Sequence, residues 1–101
     1  MIELDDKNFA EEVKSGIVLV DFWAPWCMPC KASMPHFSTF AQEHPELKAA
    51  KVNVDDACDV MQKMSITSVP TFIMFKDGVE VERHCGSVSA AILRSKFNEK
   101  T

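Results

Sequence analysis

The chain has 101 residues, 47% of them hydrophobic and 26% charged, the size and balance of one globular domain with a single core and not of a disordered or collagen-like chain. Its net charge of −4, with Lys and Arg scattered among the acids, provides no basic footprint for nucleic acid. No run reaches the roughly 18 apolar residues needed to cross a bilayer, and the opening Met1-Ile2-Glu3-Leu4-Asp5-Asp6 lacks the basic-then-apolar order of an export signal. The expectation is a cytoplasmic, monomeric, single domain over residues 1–101.

Ile2 to Leu4 reads as a short edge strand. Asp5 or Asp6 is a good N-cap for a helix that carries Phe9 and Val13 on one face and ends near Gly16. Ile17-Val18-Leu19-Val20 is a continuous, mostly β-branched run, the pattern of a strand covered on both faces. Asp21, Phe22 and Trp23 follow, and the run breaks at Pro25. From Cys27 to about Gln42 the spacing is helical, with Phe37, Phe40 and Ala41 as the apolar stripe and a kink expected at Pro35.

Ala50 to Val54 alternates as a second strand. Asp55 or Asp56 then caps a third helix whose buried side is Val60, Met61 and Met64. Thr71 to Phe75 is a third long strand, Lys76-Asp77-Gly78 carries the Asp-Gly turn signal, and Val79 to Arg83 returns as the hairpin partner. Ser87 or Ser89 caps a last helix in which Ile92, Leu93 and Phe97 face the sheet. Strands alternating with helices imply parallel pairing through right-handed crossovers. The fold class is therefore α/β: a central mixed β-sheet, with a parallel βαβ half and a C-terminal antiparallel hairpin, flanked by helices.

The chemistry-bearing stretch is Trp23-Ala24-Pro25-Trp26-Cys27-Met28-Pro29-Cys30-Lys31, which leaves a buried strand and enters a helix. At the first position of that helix, Cys27 meets unpaired amides and the positive end of the helix dipole, which favour a thiolate. One turn on, Cys30 is close enough to close a small disulfide ring and more covered. Cys27 is thus expected to attack a partner disulfide and Cys30 to resolve the mixed disulfide, with Pro29 stiffening the ring. Two inert core cysteines, or half of a zinc site, are the alternatives. Zinc sites usually show a second pair, whereas Cys58 and Cys85 stand alone and His36, His44 and His84 form no ligand spacing. Neither a metal nor a cofactor is expected.

The segment Val20-Asp21-Phe22-Trp23-Ala24-Pro25-Trp26-Cys27-x-Pro29-Cys30-Lys31 resembles the active-site segment of the thioredoxin family. The likeness runs on through Pro35, Lys51-Val52-Asn53-Val54-Asp55, Val69-Pro70-Thr71-Phe72, Lys76-Asp77-Gly78 and Gly86. It implies the thioredoxin fold and a protein-disulfide reductase acting as an electron carrier. Thioredoxin reductase would be the electron donor, and protein disulfides such as those of peroxiredoxin, methionine sulfoxide reductase or ribonucleotide reductase the substrates. Asp21 would lie buried beneath the dithiol, its pKa raised, and would take the Cys30 proton through water. Lys51 would be its ionic partner. Val69-Pro70 would be a cis peptide, and Trp26, Val69 and Gly86 a flat docking surface joined by Met28, Pro29 and Pro70. Met28 departs from the Gly usual in the family. Cys58 is expected as small apolar filler, Cys85 as a thiol near the docking surface and open to glutathionylation.

Overall fold

The strand Ile17–Trp23 organises the molecule, because every residue from Val18 to Phe22 is buried. A computed structural model describes residues 1–98. In chain order the elements are β1 (Ile2–Leu4), α1 (Phe9–Val13), β2 (Ile17–Trp23), α2 (Met28–Glu43), β3 (Lys48–Asn53), a 3₁₀ turn (Val54–Asp56), α3 (Cys58–Lys63), β4 (Thr71–Lys76), β5 (Val79–Cys85) and α4 (Ala90–Phe97). Among the described residues five strands form one sheet in the order β1-β3-β2-β4-β5. β1, β3 and β2 pair in parallel, and β4 joins β2 antiparallel before turning into β5. This is the expected mixed sheet, with its parallel half and its C-terminal hairpin.

Alternation along β2 sorts the core into two layers. Val18, Val20 and Phe22 point with Val52, Ile73 and Phe75 toward Phe9 and Val13 of α1 and Val60 of α3. Leu19 points the other way with Phe72 and Met74, against Phe37 and Phe40 of α2 and Leu93 and Phe97 of α4. Phe9 meets Phe75 edge-on at 5.7 Å and Phe37 meets Phe72 at 5.5 Å, so each layer has an aromatic contact at its centre. Asp77 and Gly78 both have positive φ, +50° and +84°, the backbone that an Asp-Gly hairpin turn requires. Asp77 also accepts the Gly16 amide at 2.9 Å and donates its own to the Gly16 carbonyl at 2.9 Å, tying the hairpin tip to the start of β2.

Several local expectations are corrected. β2 extends past Val20 to Trp23, because the Asp21 carboxyl is accommodated inside. α1 ends at Val13, and neither Asp5 nor Asp6 is its N-cap residue. Asp5 closes its own turn by accepting from Lys7 and Asn8, and Asp6 reaches across to α3, accepting the Val60 amide at 2.9 Å and the Asp59 amide at 3.4 Å. Asp55 and Asp56, expected to cap α3, lie in the 3₁₀ turn. Of the two serines proposed for α4, Ser89 is the cap, its hydroxyl accepting from Ile92 at 3.2 Å. β5 extends to Cys85, and Pro35, where a kink is expected, lies inside the continuous helix α2. His44 ends α2 and stacks on Phe40 at 4.2 Å.

Candidate active site

Beyond β2 the chain turns at Ala24, whose carbonyl accepts the Cys27 amide at 3.1 Å, and enters α2. Cys27 is the N-cap, one residue before the first helical position where it was expected, with extended backbone (φ −93°, ψ 108°). Its Sγ accepts the Cys30 amide at 3.2 Å, so sulfur holds the place that a Ser or Asp oxygen takes in an ordinary cap. Met28 and Pro29 form the start of the first turn, where the missing proline N–H costs no helical bond. Cys27 and Cys30 are joined by a disulfide, with Cα atoms 5.3 Å apart. Whole-residue exposure is 4% for Cys27 and 2% for Cys30, so the expected contrast between an exposed and a covered cysteine is slight. Position separates them more: Cys27 caps the helix, whereas Cys30 begins the buried stripe that continues through Ser33, Phe37 and Phe40.

Asp21 lies wholly buried on the sheet face covered by α2 and α4, and neither carboxyl oxygen has a hydrogen-bond partner among the described residues. Burial pushes its pKa up to about 7, because the charged form loses hydration, and the positive charge of Lys51 offsets only part of this rise. Lys51 is level with Asp21 in the parallel β2–β3 register, yet it forms no direct ion pair with it. Its ammonium lies 5.3 Å from the centre of the Trp23 ring and 3.9 Å from a Glu3 carboxylate oxygen. Lys51 therefore acts on Asp21 through its field, without a direct ion pair. Cys30, Lys31, Met34, Trp23 and Lys51 line a mostly apolar pocket of about 180 Å³ that opens to the surface. That volume admits water, which takes about 30 Å³ per molecule in the liquid.

Around the disulfide the surface is apolar and open. Trp26 is 68% exposed and Met28 70%, and Pro29 is also exposed. The Trp26 indole N–H donates to Asp55 at 3.4 Å, which links the ring to the 3₁₀ turn. Val69-Pro70 is cis, with Val69 half-buried and Pro70 buried. The Pro70 carbonyl accepts the Gly86 amide at 2.8 Å, and Gly86 has φ +106°, which only glycine adopts without strain. Cys85 is exposed at the end of β5, opposite Thr71 and so beside Pro70 in the register. Cys58 is exposed in the first turn of α3, which corrects its reading as buried filler.

Two supporting residues escaped the sequence reading. Asp55 gave no signal beyond its capping propensity, because its contact with Trp26 spans 29 positions. Ser33 did leave one: it falls at helical spacing between Cys30 and Phe37 on an otherwise apolar stripe. Buried there, its hydroxyl accepts the Val88 amide at 3.0 Å and ties α2 to the segment after Gly86.

The thioredoxin family model matches residues 1–99. A thioredoxin of Chlamydia trachomatis is 43% identical over 83 residues, covering 82% of this chain and 81% of that protein. A thioredoxin of Bacillus subtilis is 36% identical over 100 residues, covering 98% and 96%. A solved structure of Plasmodium falciparum thioredoxin superposes with a TM-score of 0.88 at 30% identity, covering 94% of this chain and 95% of that one.

Proposed function

Because the chain belongs to the thioredoxin family, and so is a thiol–disulfide oxidoreductase that reduces protein disulfides, we propose that Cys27 is its attacking thiolate and Cys30 its resolving thiol. The observation that carries this assignment is Cys27 at the N-cap of α2, its sulfur receiving the Cys30 amide and bonded to Cys30. Free amides and the helix dipole stabilise negative charge on that sulfur when the pair is reduced. The Cys27 thiolate displaces one sulfur of the partner disulfide and forms a mixed disulfide. Cys30 then loses its proton and attacks Cys27 Sγ, the partner leaves as a dithiol, and two electrons have passed to it.

Asp21 is the proton acceptor for Cys30. A carboxyl with a pKa of about 7 binds and releases a proton near neutrality, and the pocket beside Cys30 has room for water on the sulfur's side of the transfer. Trp26, Met28, Pro29, Val69, Pro70 and Gly86 form the docking surface, on which an extended partner segment pairs with the backbone beside Pro70. Thioredoxin reductase restores the dithiol in the cytoplasm, and disulfides of the peroxiredoxin, methionine sulfoxide reductase and ribonucleotide reductase kind are the substrates.

Trapping separates the two sulfurs. Cys30→Ser is expected to attack a disulfide-bearing protein and remain bound to it, whereas Cys27→Ser neither reduces nor traps. Mass spectrometry of the adducts decides the assignment, and a mixed disulfide through Cys30 in Cys27→Ser overturns it.

A further inference from the structure

Glu3, Lys51 and Asp21 stand level across three strands: Glu3 pairs in register with Lys51 between β1 and β3, and Asp21 pairs with Lys51 between β3 and β2. Neighbours in register on a parallel sheet point to the same face, so an acid, a base and an acid form a row from the sheet edge inward. The two acids differ in surroundings. Glu3 is half-exposed, whereas Asp21 is fully buried with no hydrogen-bond partner among the described residues. The Lys51 ammonium lies 3.9 Å from Glu3 and 5.3 Å from the centre of the Trp23 ring, and it makes no ion pair with Asp21.

We propose that Glu3, acting through Lys51, holds that positive charge away from Asp21 and so sets the proton affinity of the buried carboxyl. Glu3 is then a positioning residue for the exchange reaction, and this role in the reaction rests on the reading of Asp21 as proton acceptor. Lys51 has one flexible ammonium and two carboxylates competing for it. Attraction falls with distance and is strengthened in a poorly hydrated interior. Each step that Lys51 takes toward Asp21 favours the ionised carboxylate, and each step toward Glu3 favours the protonated form. Glu3 adds a smaller effect of the same sign, because its own negative charge repels an ionised Asp21.

The other groups about Asp21 do not supply this control: on α4, Lys96 donates to the Arg83 carbonyl and Arg94 lies in a surface pocket with His36 and Glu43. From α2, Lys31 and Cys30 line the cavity with Lys51, but Lys31 is exposed and Cys30 is uncharged in the disulfide. From β4 the register neighbour is Phe72, which has no charge, and His84 on β5 lies one strand further away. Lys51 is thus the cation best placed to act, and Glu3 is its ion-pair partner.

The test follows the Asp21 side-chain carboxyl by carbon NMR across pH in the oxidised protein, together with the pH–rate profile for disulfide reduction. Glu3→Gln is expected to lower the proton affinity of Asp21 about threefold, half a pH step. Glu3→Asp is expected to fall between Glu3→Gln and the parent. In a Lys51→Met background Glu3→Gln is expected to change the titration far less, since the intermediary is gone. An unchanged Asp21 titration in Glu3→Gln overturns the proposal. So does an equal shift with and without Lys51, which assigns the effect to the direct field of Glu3. If the titration moves through Lys51 while the pH–rate profile stays fixed, the charge row stands and Asp21 as proton acceptor falls.

Discussion

A single buried carboxyl makes the stability of this protein depend on pH. The pKa of Asp21 is about 7 in the folded protein against an ordinary value of 3.8, so between these limits the unfolded chain releases a proton that the folded one keeps. Stability contributed by the protonated form is complete below about pH 4 and declines as pH rises through 7. Asp21→Asn is expected to remove that decline and to be more stable than the parent at pH 8, by on the order of 4 kcal/mol. Its disulfide exchange is expected to slow. Urea unfolding at pH 5 and pH 8, beside turnover measurements, checks both. A variant less stable at pH 8, or fully active, contradicts the assignment. The carboxyl was legible in the sequence because it follows four apolar residues, and the cysteine pair because its spacing is local. The contacts of Lys51 were not, since they depend on β1 and β3 meeting across 48 positions. Met28, 70% exposed beside the disulfide, has no charge, so the docking role proposed for it rests on contact. Met28→Gly is expected to change rates with protein disulfides unequally, by several-fold, while rates with a small disulfide follow the reduction potential alone. Uniform changes across all substrates would instead make Met28 a tuner of the dithiol.

Helix starts divide the elements into those capped from within and those capped from afar. Ser89 caps α4 locally and was readable from propensity. α3 has no side-chain cap at Ala57, and its first amides are taken by Asp6, more than 50 positions earlier. No local rule finds such a partner, because Asp55 and Asp56 offer the same chemistry at the expected place, and the 3₁₀ turn carries them past it. Asp6→Ala is expected to cost about 1 kcal/mol in urea unfolding, the usual loss of a helix cap. Asp56→Ala, an exposed substitution, should stay within about 0.5 kcal/mol. Reversal of that order would return the cap to the local acid. Strand limits were legible where hydrophobic alternation was clean and too short where other residues continue the strand, as at buried Asp21 in β2 and at His84 and exposed Cys85 in β5.

On the scale of the molecule, the sheet order places β2 between a parallel neighbour built earlier in the chain and an antiparallel one built later. The mixed class was readable from strands alternating with helices and ending in an Asp-Gly hairpin. The row of charges and the capping across the fold were not, because they appear only when distant strands come into register. Cys27, Cys30, Asp21 and Lys51 all come from β2, α2 and β3, while Val69, Pro70 and Gly86 come from the chain after α3. The two groups join along the β2–β4 seam, through buried side chains such as Phe72 and Ile73. A change near Pro70 or Gly86 can therefore reshape the surface beside the dithiol without replacing any residue of β2, α2 or β3.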